Sequence, residues 1–181
     1  MTELDDGDYE GLADDVRRVA VHEAGHAVVT ELLGHDVGDI YVDLDTGWAG
    51  HTGVPDGLSF EHTVTVALAG FAAVGVILGP DAEETLRTID DPTRENSDHD
   101  RVRKALEKAE VPEDKRAGVV EALDVAVRKC LALPHIGDMV EEITIRLEDH
   151  GGMPGLHIKA TVQGYLDEHR RATGEDGNPF Q

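Results

Sequence analysis

The sequence has little that could crosslink it or attract it to a polyanion. Cys130 is its only cysteine, so no disulfide can form within the chain. Basic residues are also scarce, because 16 lysines and arginines stand against 38 acidic residues and give a formal charge of -22 at pH 7. A field of that sign repels nucleic acid and anionic membrane surfaces, so we expect neither as a partner.

Segments that would direct the chain to a membrane or through one are not evident either. The first thirty residues lack the basic start and apolar core of a secretory signal, which favours a reducing, cytoplasmic location. The longest uncharged apolar run, residues 63–79, contains three glycines and two threonines and has no Lys or Arg at either end. A buried core helix explains this run better than a membrane span does.

The most informative stretch that the chain does contain is HEAGH at residues 22–26. If this stretch is helical, His22 and His26 lie about 40° apart around the helix axis, so both imidazoles can reach one metal ion. Zinc takes two nitrogens from such a pair, needs one more protein ligand and keeps a position for water. Glu23 would then act as the general base that takes a proton from this water.

Hydrophobic periodicity predicts a single, mainly α-helical domain with one small β-hairpin. We expect a flexible acidic tail over residues 1–12, the domain over 13–172 and a flexible tail over 173–181. The hairpin would pair residues 39–44 with 48–54 and could bind an extended peptide at its free edge. The predicted helices cover about 13–33, 59–79, 81–88, 97–110, 112–131, 136–149 and 157–171, with a mobile loop around the short third helix.

The spacing alone leaves the third metal ligand open. A metzincin would have glycine and histidine where this chain has Val29 and Leu32, which excludes that class. Asp98 and His99 are candidates because they open a predicted helix, with Ser97 as a good N-cap. Glutamates that could serve in a thermolysin-like arrangement are Glu83, Glu84, Glu141 and Glu142.

Several other side chains are candidates by residue type only. Asp43, Asp45 and His51 could add ligands, although solvated strand and turn positions explain them better. A donor for the oxyanion that forms in peptide hydrolysis could be His51, His62 or His99, and the sequence does not choose among them.

Four segments, in order, resemble the peptidase domain of FtsH-type ATP-dependent metalloproteases. Residues 19–29 resemble the zinc helix of that family, and AGHT at 49–52 resembles the strand beside its active site. LAGFAA at 68–73 resembles its glycine-rich buried helix, and the pair Ser97-Asp98 resembles an Asn-Asp pair whose aspartate is the third zinc ligand. The resemblance covers about residues 17–110.

This resemblance implies a helical zinc metallopeptidase fold of the FtsH peptidase type. It implies one Zn²⁺ ion with His22, His26 and Asp98 as ligands, and Glu23 as the catalytic base. It further implies that residues 48–54 form the edge that binds the peptide.

The chain also departs from the family. Phe71 stands where an arginine is usual, and Val74 and Gly75 stand where the family has two glutamates. No G-x-x-x-x-G-K-[ST] pattern occurs, so ATP-driven unfolding of substrates would need a separate ATPase or adaptor. The oligomeric state stays open, with a homo-oligomer as one possibility.

We therefore expect a zinc metallopeptidase that cleaves unfolded or extended polypeptides by Glu-assisted attack of a zinc-bound water. One alternative is a dedicated regulatory protease that cuts a single partner protein. Another is a non-catalytic, zinc-containing binding module. A purely structural zinc would require a fourth protein ligand, and the presence of Glu23 favours catalysis.

Overall fold

The computed structural model describes residues 6–47, 50–89 and 94–180. These ranges contain seven α-helices and a three-stranded antiparallel sheet, which confirms the predicted mainly α architecture with a small β element. The helices are α1 (Asp6–Leu32), α2 (Phe60–Ile77), α3 (Pro80–Ile89), α4 (Asp98–Lys108), α5 (Glu113–Leu131), α6 (Pro134–His150) and α7 (Gly155–Thr173). The strands are β1 (Ile40–Val42), β2 (Gly50–Thr52) and β3 (Gly152–Met153).

Helix α1 runs through the centre of the hydrophobic core and packs against α2, α6 and α7. It begins at Asp6, so the predicted start near residue 13 is wrong. Leu12, which lies in the added turns, packs against the hydrophobic core. The middle of α1 is apolar on several faces, with full burial of Ala20, Val21, Ala24, Ala27, Val28 and Val29.

Helices α1 and α2 approach each other closely at Gly25. A β-carbon at this position would lie 2.6 Å from Cβ of Ala73 and 2.7 Å from the carbonyl oxygen of Ala69. Glycine between the two histidines is therefore explained by close helix packing. The small residues of α2 permit this approach.

Helix α2 is a core helix. Within the described ranges it is the one helix long and apolar enough to cross a membrane, but 61% of that stretch is buried inside the protein. It packs against α1, α4 and α5, which matches the predicted buried helix. Its N-cap is Ser59, whose side chain accepts a hydrogen bond from the backbone N–H of His62.

The sheet has the order β2-β1-β3. Strands β1 and β2 pair antiparallel, with Ile40 opposite Thr52, as the hairpin prediction requires, although both strands are shorter than predicted and residues 48 and 49 lie outside the described ranges. Strand β3 adds to the other side of β1 and was not predicted. Strand β3 has only two residues, which is too short for an alternating hydrophobic pattern. It follows directly after Gly151, whose positive φ of 70° ends α6. The outer edge of β2 faces away from β1.

Other helix boundaries also differ from those that hydrophobic periodicity predicts. Residues 80–89 form a regular helix where a loop with a shorter helical piece is predicted, and residues 90–93 of that loop lie outside the described ranges. Helix α6 begins at Pro134 and α7 at Gly155, because proline is tolerated in the first turn and at the N-cap. In the predicted C-terminal tail, Asn178 donates a hydrogen bond to the carbonyl of Leu32, at 2.8 Å.

The contact at Gly25 gives a stability prediction. Gly25→Ala should lower the free energy of unfolding by about 1–3 kcal/mol, because the added methyl group has no space between α1 and α2. Gly164→Ala is the matched control, since Gly164 lies inside α7 with no atom near its missing β-carbon, and it should stabilise by about 0.5–1 kcal/mol. Urea denaturation of both variants measures the difference, and equal effects would contradict the close contact.

Candidate metal centre

The three side chains that the resemblance implies as ligands meet at one point. Nε2 of His26 is 3.0 Å from Nε2 of His22 and 3.0 Å from Oδ2 of Asp98, and Nε2 of His22 is 3.1 Å from the same oxygen. A tetrahedral zinc ion with bonds of about 2.0–2.1 Å holds its ligand atoms about 3.3 Å apart. The triangle therefore has the size and donor types for one metal ion, and it is the one such group of three within the described ranges.

The protein fixes the tautomer of His26 that a metal needs. Nδ1 of His26 donates a buried hydrogen bond of 2.7 Å to the carbonyl oxygen of Val66 on α2. Because a carbonyl oxygen only accepts, Nδ1 must carry a proton, and in the neutral ring the lone pair of Nε2 points to the cluster. Nδ1 of His22 is buried and has no partner among the described residues, so only a group bound at its Nε2 would select its tautomer.

Gly70 of α2 makes room for both imidazole rings. A β-carbon at Gly70 would lie 2.4 Å from Cε1 of His22 and 2.6 Å from Nε2 of His26. The next residue, Phe71, places the edge of its ring against His22, with centroids 4.9 Å apart. The space that the missing side chain of Gly70 leaves is therefore filled by the rings of His22 and His26 rather than by another backbone.

A network of caps at the start of α4 positions Asp98. Ser97 is the N-cap, as predicted, and its hydroxyl oxygen accepts from the backbone N–H of Asp100. The buried carboxylate of Asp100 in turn accepts from the N–H of Asn96, which has a positive φ of 65°, and forms an ion pair with Lys104. These contacts hold the turn before α4, so that the first residue of the helix faces the two histidines.

The electrostatics of the cluster favour a cation. Burial alone would lower the pKa of His26, but the carboxylate of Asp98 outweighs burial and raises this pKa to about 9. Burial would conversely raise the pKa of Asp98, and His26 and His22 outweigh it and hold that pKa well below its usual range. At neutral pH the metal-free cluster therefore holds a proton, which a metal ion would have to displace.

Strand β2 holds Glu23 beside the cluster. The buried carboxylate of Glu23 accepts a hydrogen bond of 2.6 Å from the hydroxyl of Thr52. Gly50 leaves space for the same side chain, because a β-carbon there would lie 2.7 Å from Oε1 of Glu23. The resemblance to FtsH-type peptidases implies that this strand lies near the site, but it gives no role to Thr52. A threonine two residues after the glycine of the strand is a weak signal without tertiary contacts.

A cleft of about 510 Å³ opens in front of the cluster. It is lined by His22, His26, Asp98 and Glu23, by strand β2, and by the segment that precedes α4. Of the three histidines considered as oxyanion donors, His51 lines this cleft, and its side chain is exposed. The other two histidines lie elsewhere: His62 is 2.7 Å from the ring nitrogen of His35, and His99 packs against Phe71.

The alternative ligands have other roles in the described structure. Glu83 forms ion pairs with Arg128 and Arg87, and Gly75 leaves the space in which this glutamate lies, which accounts for one departure from the FtsH pattern. Asp43 accepts hydrogen bonds from the backbone N–H groups of Asp45 and Thr46 in a turn. The remaining glutamates are either paired or exposed: Glu141 with Arg17, Glu142 with Arg146, and Glu84 on the surface of α3.

No family model matches this chain. No curated protein matches it at a significant level either. The similarity to FtsH-type peptidases accordingly stays a hypothesis that rests on the quoted motifs. What the geometry gives independently is a His22-His26-Asp98 group that could hold a metal ion.

Gly70 provides a test of the site that keeps every ligand. Gly70→Ala should weaken zinc binding by about tenfold or more, because its methyl group would displace the rings of His22 and His26. Competition with a chelating dye measures the affinity, and circular dichroism checks the fold. Gly118→Ala in α5, where the missing β-carbon faces open space, should leave the affinity unchanged. Equal affinity in the Gly70 variant would place the metal elsewhere.

The raised pKa of His26 predicts how the stability of the metal-free protein depends on pH. The folded pKa of about 9 exceeds the unfolded value of 6.5, so the stabilisation is fully present below pH 6.5 and is lost as the pH rises through 9. The loss should be at most about 3 kcal/mol. Urea denaturation in the presence of a chelator measures it, and Asp98→Asn should flatten the profile. A wild-type profile as flat as that of the variant would contradict the pairing.

Proposed function

We propose that this protein is a zinc metallopeptidase that hydrolyses peptide bonds in unfolded or extended polypeptides. The observation that carries the proposal is the convergence of His22, His26 and Asp98 in a cleft that Glu23 also lines. A structural zinc is closed by four protein ligands, whereas a catalytic zinc keeps a position open. Three ligands in the described ranges, facing an open cleft, support the catalytic type.

The donor set also favours zinc among the common metals. Two imidazole nitrogens and one carboxylate oxygen suit zinc, whereas magnesium and calcium prefer oxygen ligands alone. Zinc bound in the cluster would polarise the scissile carbonyl group and lower the pKa of a water molecule at the open position. A single ion is proposed, since the triangle of ligand atoms has room for one.

The side chains around the cluster would divide the remaining tasks. Glu23 accepts a proton from the attacking water and then delivers it to the leaving nitrogen of the substrate. Thr52 holds the carboxylate of Glu23 in place through its 2.6 Å hydrogen bond. Within the described ranges β2 is an edge strand of the sheet, and an extended peptide could join its outer edge as an added strand. Folded substrates would reach this edge only after unfolding by a separate ATPase or adaptor.

The proposal is tested by Glu23→Gln. Cleavage of unfolded casein should fall by about 10²- to 10⁴-fold, because a glutamine cannot accept the proton, while the zinc content stays the same. Glu61→Gln is the matched control, since Glu61 is exposed in the first turn of α2, and it should leave cleavage unchanged. Zinc analysis and fluorescent casein assays measure the two properties.

Two results would contradict the proposal. Undiminished cleavage by the Glu23→Gln protein would remove Glu23 from the mechanism. Wild-type protein that holds zinc and cleaves neither casein nor a peptide library would support the non-catalytic binding module instead.

A further inference from the structure

A second cleft adjoins the metal cleft along α4. It has a volume of about 530 Å³ and is bounded by residues 54–58, by the beginning of α2 and by one face of α4. Asn96 and Arg101 line both clefts, so the two are neighbours. Because residues 54–58 follow directly after β2, a polypeptide laid along the edge of β2 would pass from the metal cluster onto this second cleft.

The floor of the second cleft is apolar. Its apolar side chains come from the segment after β2, from α2 and from α4, namely Val54, Leu58, Phe60, Val66 and Ala105. Val66 also supplies the carbonyl that fixes His26, so the floor of this cleft lies next to the metal ligands along the same turn of α2. A cavity of this size with an apolar floor suits a large aliphatic or aromatic side chain.

The wall formed by α4 is basic, which is unusual in this chain. Arg101, Lys104 and Lys108 are spaced by three and four residues on one helix face, and all three line the cleft. We call them the basic row. Lys104 is paired with Asp100, whereas Arg101 and Lys108 form no ion pair with any residue of the described ranges. One acidic residue, Asp56, lines the opposite side.

The basic row matters because the protein as a whole carries a formal charge of -22. An acidic polypeptide would be repelled by the protein at long range, but over distances below the Debye length of about 8–10 Å the nearest charges dominate. At the second cleft these nearest charges are mainly positive. An acidic group held there would gain attraction, and a basic group would meet repulsion.

We propose that the second cleft selects the substrate of the proposed peptidase, and that it favours polypeptide segments in which a large apolar residue is adjacent to an acidic one. The apolar side chain lies on the apolar floor of the cleft, and the neighbouring carboxylate lies against the basic row. The inference rests on the proposed function and names its substrate class. Neither the metal ligands nor Glu23 provide this selectivity, because they contact only the backbone of the scissile bond and its water.

The experiment separates binding from cleavage. Fluorescent peptides that are identical except for Phe-Glu, Phe-Lys or Ser-Glu at one central site are titrated against zinc-loaded Glu23→Gln protein, and fluorescence anisotropy gives the affinities. The Phe-Glu peptide should bind about tenfold more tightly than the Phe-Lys peptide, because two exposed ion pairs contribute about that factor. The preference should shrink at 1 M salt, and the Ser-Glu peptide should bind more weakly than the Phe-Glu peptide.

Charge reversal of the basic row tests the assignment to α4. In the same background, Arg101→Glu/Lys108→Glu should reverse the preference, and the milder Arg101→Ala/Lys108→Ala should abolish it. Lys115→Glu/Lys129→Glu is the matched control, because it changes the net charge equally at two exposed positions of α5 and should keep the preference. Circular dichroism confirms that each variant is folded.

The outcomes distinguish this inference from the proposed function. Equal affinities for the Phe-Glu and Phe-Lys peptides, absence of binding by all three peptides, or loss of the preference in the α5 control would overturn the selective cleft. Cleavage by the wild-type protein without a charge preference would overturn the selective cleft and leave the peptidase activity in place. A charge preference in binding, with no cleavage by the wild-type protein, would support the cleft and overturn the peptidase activity.

Discussion

Helices α1 and α2 touch through two glycines, and the other parts of the site depend on that contact. Gly25 of α1 lies against the backbone of α2, and Gly70 of α2 lies under the rings of His22 and His26. Only at this separation can the carbonyl of Val66 reach His26 and fix its tautomer. The same contact also buries the centre of the core, so the packing that stabilises the fold is the packing that orients the histidines.

Two further side chains complete the site, and each is held by an element other than the contact between α1 and α2. Asp98 arrives from a segment more than seventy residues away along the chain and is held by the capping contacts of Ser97 and Asp100. Glu23 is held from the sheet side by Thr52. Asp98 is positioned by the cap of a helix and Glu23 by a short hydrogen bond from a strand. Contacts with helices and strands place side chains more precisely than loops do. The cluster thus joins two imidazole nitrogens with one carboxylate, and this group of three is stabilised by a bound proton or a metal ion.

The features that the sequence predicts well are those with a local cause. The four-residue spacing of the histidines, the N-cap Ser97 and the buried helix over 63–79 follow from patterns within a few residues. No local pattern predicts the extra turns at the start of α1 or the two-residue strand β3, since Leu12 packs against the distant core and β3 pairs with β1. The hydrogen bond from the Thr52 hydroxyl to Glu23 also has no local pattern, because it joins residues 29 positions apart in the chain. Asp98 was one of several candidates by chemistry, and the resemblance to FtsH-type peptidases favoured it.

The central claim is that His22, His26 and Asp98 bind one zinc ion with an open position, and X-ray absorption at the zinc edge tests it most directly. The reconstituted wild-type protein should show one zinc per chain, with two imidazole nitrogens and one or two further oxygen atoms at about 2.0–2.1 Å. Both imidazole contributions should decrease when His22 and His26 are replaced by alanine. A spectrum without imidazole scattering, or one that the two replacements leave unchanged, would contradict the account.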